Sequence, residues 1–344
     1  MQLPFDNASR LQSAFNLGLE QLLEHATIET FILVLANASN DPAFFKVLQP
    51  RLMQRYGELE QQYQQALNNG QALKVVEEDL QVFKQLLNIG LENIQLAQQR
   101  QLGPWLLKYN QLRSFRPRRI SQQVFTGLEK QLNRDGFHFN KPFMAKECFW
   151  SGELLNKPVD LFYNKFPFAD CHGLLVIDRQ SWQPQYLTQA IHDYMFALSQ
   201  QLGEKLTDVG FGYNSIGAFA SVNHLHFQMF LGADSCGVTQ PQWQHKGGEQ
   251  IYPATCQFET DVARAWQSIQ HFHQQQQPYN LLYTAEGVYL FARPEQNQVP
   301  VPAWSSGCTW YELSGALVVF DPDAYQKLSS EDIRHELSLL AVNG

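Results

Sequence analysis

The chain has 344 residues, 44% of them apolar, and a formal net charge of −8. That is enough apolar content for one large domain or two ordinary ones, and the acidic balance excludes a general nucleic-acid binder, which needs a basic face. The longest apolar run, FILVLA at 31–36, is far too short to cross a bilayer, the N-terminus lacks the basic-then-apolar pattern of a secretion signal, and the cysteines, odd in number and scattered, read as reduced thiols of a cytoplasmic protein.

From residue 8 to about 113 the chain reads as helical: Leu and Phe recur every three or four residues, with Gln and Glu between. NNG at 68–70 reads as a stop between two helices. No chemistry shows in this stretch, and a structural or dimerising helical layer is its expected role. SFRPRR (114–119) shifts the composition, either as a basic loop or as guanidiniums brought to a phosphate. The expected organisation is therefore a helical N-terminal segment, 1–113, followed by an α+β domain, 114–344.

Within that domain CFWSGEL (148–154), DLFYNKF (160–166) and GLLVID (173–178) read as strands, and 183–203 as a helix closed by Gly203. Residues 210–231 read as a strand, a glycine turn and a second strand. A helix at 260–276, a hairpin at 279–294 turning on AEG, a last strand at 309–320 and a capped helix at 329–340 complete the pattern.

The second strand of 210–231 holds the polar residues that stand out. If 222–230 is extended, Val222, His224, His226, Gln228 and Phe230 share one face, and Asn223, Leu225, Phe227 and Met229 the other. Two imidazoles and an amide then line up at steps of roughly 7 Å. On pattern alone three readings stand: a structural histidine pair, part of a metal site, or a nucleophilic histidine flanked by donors. For the metal reading, no CxxC or HExxH is present to complete a zinc set, and pattern alone does not choose among the three. Imidazole is mostly neutral and nucleophilic near pH 7, and a neighbouring Gln donates hydrogen bonds without adding charge.

GYNSIGAFASVNHLHFQMF (212–230) resembles the active-site segment of the histidine-triad superfamily, in the transferase branch whose motif is H-x-H-x-Q. Within that branch it is most similar to the GDP-hexose phosphorylases, with diadenosine tetraphosphate phosphorylases and galactose-1-phosphate uridylyltransferases more distant. NKFPFADCHGLLVID (164–178), QPYNLLYTAEGVYLFARP (277–294) and TWYELSGALVV (309–319) resemble further segments of the group in the same order, so the likeness covers about 110–320. It implies a histidine-triad-like antiparallel sheet with packed helices. It also implies a covalent mechanism in which His226 takes a nucleotide from a nucleotide sugar and passes it to inorganic phosphate. His224 would orient the backbone or polarise the nucleophile's surroundings, and Gln228 would hydrogen-bond the phosphoryl oxygens in the intermediate. Ser221, Asn223, Asn164, Lys165, Gly217 and His172 are the candidate substrate- and phosphate-binding residues, and Glu312 either holds a sugar hydroxyl or faces water. Uridylyltransferases of the superfamily bind a metal partly through cysteines, and no cysteine here has that spacing, so no cofactor is implied. A dinucleoside tetraphosphate phosphorylase and a silent nucleotide-binding module are the alternatives. The implied partners are a nucleotide sugar or dinucleoside polyphosphate and phosphate, with a homodimer plausible through the N-terminal helices.

Overall fold

The computed structural model describes residues 4–24, 26–116, 125–305 and 307–342. Four helices come first: α1 (Ala8–Glu24), α2 (Ile28–Asn40), α3 (Pro42–Asn68) and α4 (Glu77–Ile89). Helix α1 buries Leu11, Phe15, Leu19 and Leu23, about one residue per turn, as an amphipathic helix must. Helix α2 is apolar almost all round and is buried almost all round. Asp41 ends α2 and caps α3, its carboxylate accepting the Ala43 and Phe44 N–H groups at 3.0 Å each. Helix α3 stops at the predicted NNG, where Gly70 adopts φ +62°.

A hairpin, β1 (Gln98–Leu102) and β2 (Trp105–Tyr109), then stands inside the stretch whose periodicity predicts helix. Strand β1 is an edge strand of Gln and Arg with little to bury, so it carries no apolar alternation to read, while β2 is buried at every position. The chain continues through α5 (Gln111–Ser114), β3 (Cys148–Leu154), β4 (Lys157–Tyr163), β5 (Asp170–Ile177), α6 (Gln189–Gly203), β6 (Val209–Asn214) and β7 (Phe227–Leu231). Then follow β8 (Cys256–Glu259), α7 (Val262–Gln274), β9 (Tyr279–Thr284), β10 (Gly287–Ala292), α8 (Trp310–Leu313), β11 (Ala316–Val319), α9 (Pro322–Lys327) and α10 (Ser330–Ser338).

The main sheet is eight-stranded, in the order β3-β4-β5-β7-β6-β9-β10-β8, and every neighbouring pair is antiparallel. A smaller sheet, β1-β2-β11, joins the hairpin to the last strand in parallel. Alternate residues of the main sheet enter different cores. Leu161, Leu175, Phe227, Met229, Phe211, Tyr213, Leu281 and Leu290 pack with α1–α4, α6 and α7. Phe230, Leu282, Tyr289 and Phe291 face the opposite way, into a core with Trp105, Trp243, Trp310 and the small sheet. Phe162 and Val176, also on that second face, pack with Phe139 and Met144. The fold is thus α+β, an antiparallel sheet with packed helices behind an N-terminal helical layer. Among the described residues no helix is long and apolar enough to cross a membrane.

Candidate active site

The polar motif lies on the second face, between the Trp310 and Phe139 clusters. Strand β7 starts at Phe227, so the extended reading of 222–230 holds for Gln228 but not for a ladder through both histidines. The backbone ahead of β7 bonds elsewhere: Leu225 N–H donates to Gln183 O at 2.9 Å, and His226 N–H to the side chain of Gln185 at 2.9 Å. Gln185 is buried, and its amide nitrogen also donates to His226 O at 3.2 Å and Asn214 O at 3.0 Å. One side chain therefore holds both backbone polar groups of His226 and ties them to β6.

The His226 ring has a determined tautomer. Its Nδ1 lies 2.8 Å from the carbonyl oxygen of His224, which can only accept, so Nδ1 carries the proton and Nε2 keeps a lone pair. Burial pushes this imidazole down to about 4, so it is neutral at ordinary pH. His224 is likewise held at about 4, by burial first and by the adjacent His226 second. Its ring stacks on Trp182, with centroids 6.0 Å apart and planes 5° apart, and its Nδ1 accepts the Phe139 N–H at 3.2 Å. Trp182 carries the Arg134 guanidinium on its ring, 4.6 Å from the centroid. His224 is thereby fixed as a packing element, and its carbonyl is the group that faces His226 Nδ1. Phe139 spans the two imidazoles, 5.5 Å from His224 and 5.3 Å from His226.

Gln228 is oriented by His172. The His172 Nδ1 accepts the Phe168 N–H at 3.3 Å, so its proton sits on Nε2 and is donated to Gln228 Oε1 at 3.0 Å. That contact turns the Gln228 amide nitrogen, with two donors, away from His172. Burial holds His172 down at about 3, so the donor stays a neutral imidazole. Asn164 lies beside it, with Nδ2 at 3.1 Å from His172 Nε2, its own N–H donating to His172 O and its Oδ1 accepting the Phe166 N–H. The structure therefore brings His226, His224, Gln228, His172 and Asn164 together.

The other candidates stand differently. Lys165 is bound to Asp79 of α4 at 2.6 Å. Asn223 pins the preceding loop, accepting from Gln185 N–H and donating to Lys130 O and Gln131 O. Gly217 has φ +81°, and a Cβ there would meet the Phe125 ring at 2.7 Å, so its glycine is required by the turn. Ser221 is exposed beside the motif. Glu312 neither faces water nor sits in a strand: it is buried at the start of α8, where its Oε2 accepts Thr309 N–H at 2.9 Å and Thr309 Oγ1–H at 2.6 Å in a capping box. Of the basic stretch 114–119, residues 117–119 lie outside the described residues, and Arg116 pairs with Glu78 at 2.9 Å. Arg113, one turn earlier, opposes protonation of His172 by its charge, as Lys108 does to a lesser extent, and its buried Nε lacks a partner. Gln185, which lies outside every quoted motif, and Asn214 and Asn280, which lie inside the 212–230 and 277–294 segments without having been named as candidates, are further residues of the site. Asn280 donates to Asn214 Oδ1 at 2.6 Å and to Ala218 O at 3.0 Å, leaving its own buried Oδ1 without a partner. Among the described residues no group of three or more His, Cys, Asp or Glu forms a metal-type donor set.

Residues 105–230 match the family model described as GDPGP1-like, N-terminal domain. No curated protein matches the chain. Among solved structures, yeast Ap4A phosphorylase Apa2 is similar at 15% identity and a TM-score of 0.51, over 78% of this chain and 95% of that one. The same enzyme in complex with Ap4A gives 14% and 0.47 over 78% and 98%, and in complex with AMP 13% and 0.49 over 78% and 97%. At such identities the likeness is one of fold. The part of the chain that resembles the GDPGP1-like N-terminal domain, residues 105–230, holds both histidines and Gln228, and the chain has an α+β fold like that of yeast Ap4A phosphorylase Apa2.

Proposed function

We propose that the protein is a nucleotidyl-transferring phosphorylase that cleaves a GDP-hexose-like nucleotide sugar through a nucleotide carried on His226. The observation that supports this most directly is the 2.8 Å contact from His226 Nδ1–H to His224 O, which leaves Nε2 as an unprotonated nucleophile. In the first displacement the Nε2 lone pair forms the N–P bond to the α-phosphorus. The bridging P–O bond breaks, and hexose 1-phosphate leaves with that electron pair. The ring gains positive charge as the bond forms, and the His224 carbonyl on Nδ1–H is placed to stabilise it. Gln228, held by His172, presents its amide N–H groups to the phosphoryl oxygens. In the second displacement an oxygen of inorganic phosphate attacks the same phosphorus, the N–P pair returns to Nε2, and a nucleoside diphosphate is released. The family match at 105–230 favours the GDP-hexose substrate. The fold likeness to an Ap4A phosphorylase favours a dinucleoside tetraphosphate as the second reading.

Intact-mass measurement after incubation without phosphate tests both. A guanylate adduct with GDP-hexoses, absent in His226→Ala, is the expected result. An adenylate adduct with diadenosine tetraphosphate alone supports the second reading. No adduct with GDP-hexoses, UDP-hexoses or diadenosine tetraphosphate, while nucleotides still bind, overturns the covalent mechanism and leaves a binding module.

A further inference from the structure

The proposed reaction moves one phosphorus between two phosphate oxygens, yet the groups gathered at the imidazole site are uncharged: His226, His224, Gln228, His172 and Asn164. A phosphate taken out of water with no cation beside it is costly. Three nearby cations are already paired: Lys165 with Asp79, Arg116 with Glu78 and Lys108 with Asp170. Arg113 is not; among the described residues it touches no carboxylate.

Two contacts aim the half-buried Arg113 side chain. Its Nη1 donates to Phe166 O at 2.6 Å, and its guanidinium carbon lies 4.8 Å from the centre of the Phe168 ring. That ring is 4.2 Å, centre to centre, from the His172 ring, and the Phe168 N–H bonds His172 Nδ1. The guanidinium is therefore at most about 9 Å from the imidazole that orients Gln228. Its charge is felt at His172 and at the buried Glu312. Burial pushes the guanidinium down to about 10, which leaves it charged near neutral pH. The Nε is sealed from solvent, but Nη2 is not: among the described residues it has no hydrogen-bond partner, and it is not one of the buried unpartnered atoms. His226 Nε2 and Gln228 Nε2 are free and open in the same sense. The cluster thus leaves a lone pair, an amide donor and a charged donor for a ligand.

We infer that Arg113 forms, with Gln228, a phosphate subsite beside His226, which takes first the β-phosphoryl group of the nucleotide sugar and then the inorganic phosphate that replaces it. This rests on the covalent reading of His226. In the first displacement the bond from the α-phosphorus to the bridging oxygen breaks, the electron pair stays on that oxygen, and it leaves as part of hexose 1-phosphate. In-line geometry sets this oxygen opposite Nε2, and the oxygen of inorganic phosphate must enter from the same side. Both phosphates therefore occupy one place, and one cation serves both. A guanidinium suits it, because its charge comes with directed N–H donors.

Two measurements on the full chain test this. Calorimetric titration with inorganic phosphate at fixed ionic strength should show binding by the parent and by His226→Ala, weakened about tenfold or more in Arg113→Met and partly restored in Arg113→Lys. Methionine keeps an apolar stem over Phe168 and lysine returns the charge. With the adduct preformed on His226 from a GDP-hexose, discharge by phosphate should slow about tenfold or more in Arg113→Met relative to discharge by water, so the product shifts from nucleoside diphosphate to monophosphate. A purely structural Arg113 would slow both discharges alike and leave the product ratio unchanged. No phosphate binding by the parent, equal binding by Arg113→Met, or an unchanged product ratio overturns the inference. Phosphate binding that is lost in Arg113→Met, with no adduct on the parent, upholds the subsite and overturns the covalent reading alone.

Discussion

Replacing Gln185 by Met tests whether His226, the proposed nucleophile, is held by this one side chain. The two side chains have similar length and volume, so the change removes polar contacts without opening a cavity. Three hydrogen bonds go: from His226 N–H at 2.9 Å, to His226 O at 3.2 Å and to Asn214 O at 3.0 Å. Gln185 is 1% exposed, so water does not take its place. Each orphaned buried group costs about 1–3 kcal/mol, and the two carbonyls, which retain a second lone pair, fall at the lower end. The expected destabilisation is therefore about 3 kcal/mol. Urea unfolding of the parent and of Gln185→Met measures it as a shift of midpoint at constant slope. Adduct formation on His226 should slow by about tenfold or more at saturating nucleotide sugar, since a displaced ring no longer meets the phosphorus in line. A variant within about 0.5 kcal/mol of the parent, forming adduct at the parent rate, would refute the clamp.

Three other outcomes are expected. Gly212→Ala places a Cβ 2.0 Å from Trp310 Cδ2 on the strand residue paired with Gln228, and the overpacking should cost about 1–3 kcal/mol and slow turnover, read by thermal unfolding and product assay. Lys165→Met leaves Asp79, whose carboxyl burial already pushes up, without its cation; it should destabilise by about 2 kcal/mol, largely recovered by adding Asp79→Asn, whereas a ligand role would raise KM at unchanged stability. Folded His172, His224 and His226 titrate at about 3, 4 and 4 against about 6.5 unfolded, so below about pH 6.5 the unfolded chain binds protons the folded one refuses. Stability should thus be full above about pH 6.5 and fall toward pH 4, by up to about 1.4 kcal/mol per pH unit per imidazole, while the adduct rate holds to about pH 5; a half-maximal rate at about pH 6.5 would refute the burial argument.

The sheet was legible because its strands alternate: Phe211, Tyr213, Phe227 and Met229 enter one core and Phe230 the other. The cluster of His224, His226 and Gln228 stood out by residue type and two-residue spacing, while the roles proposed for them came from the resemblance of 212–230 to the histidine-triad transferase motif. What escaped is set by contacts distant in sequence. Gln185 sits in a stretch read as the start of a helix, yet α6 begins at Gln189, and nothing local marks Gln185 as the partner of a residue 41 positions away. Glu312 looked like a strand residue because two aromatics precede it, but Thr309 three positions earlier makes it the closing member of a capping box. Strand β1 was hidden because an exposed edge strand of Gln and Arg has no buried face to pattern. The partner of Lys165 was likewise unreadable, because Asp79 of α4, 2.6 Å away, lies 86 positions earlier in the chain.

Desolvation explains why the site is assembled from uncharged groups. An imidazole in water near pH 7 is partly protonated, and the protonated ring has no lone pair to give. Burial between Phe139 and β7 suppresses that form in His226, and the His224 carbonyl fixes which nitrogen keeps the lone pair. A carboxylate beside the ring would undo this by drawing the proton back, and a lysine would add a charge that burial penalises. A glutamine at 228, oriented by a neutral His172, satisfies both constraints and still offers two donors. The same burial that keeps the His226 ring neutral also makes the fold acid-sensitive, so a variant that opens Phe139 to water should show opposite changes: its adduct rate falls off at a higher pH, while its stability depends less on pH between about 4 and 6.5.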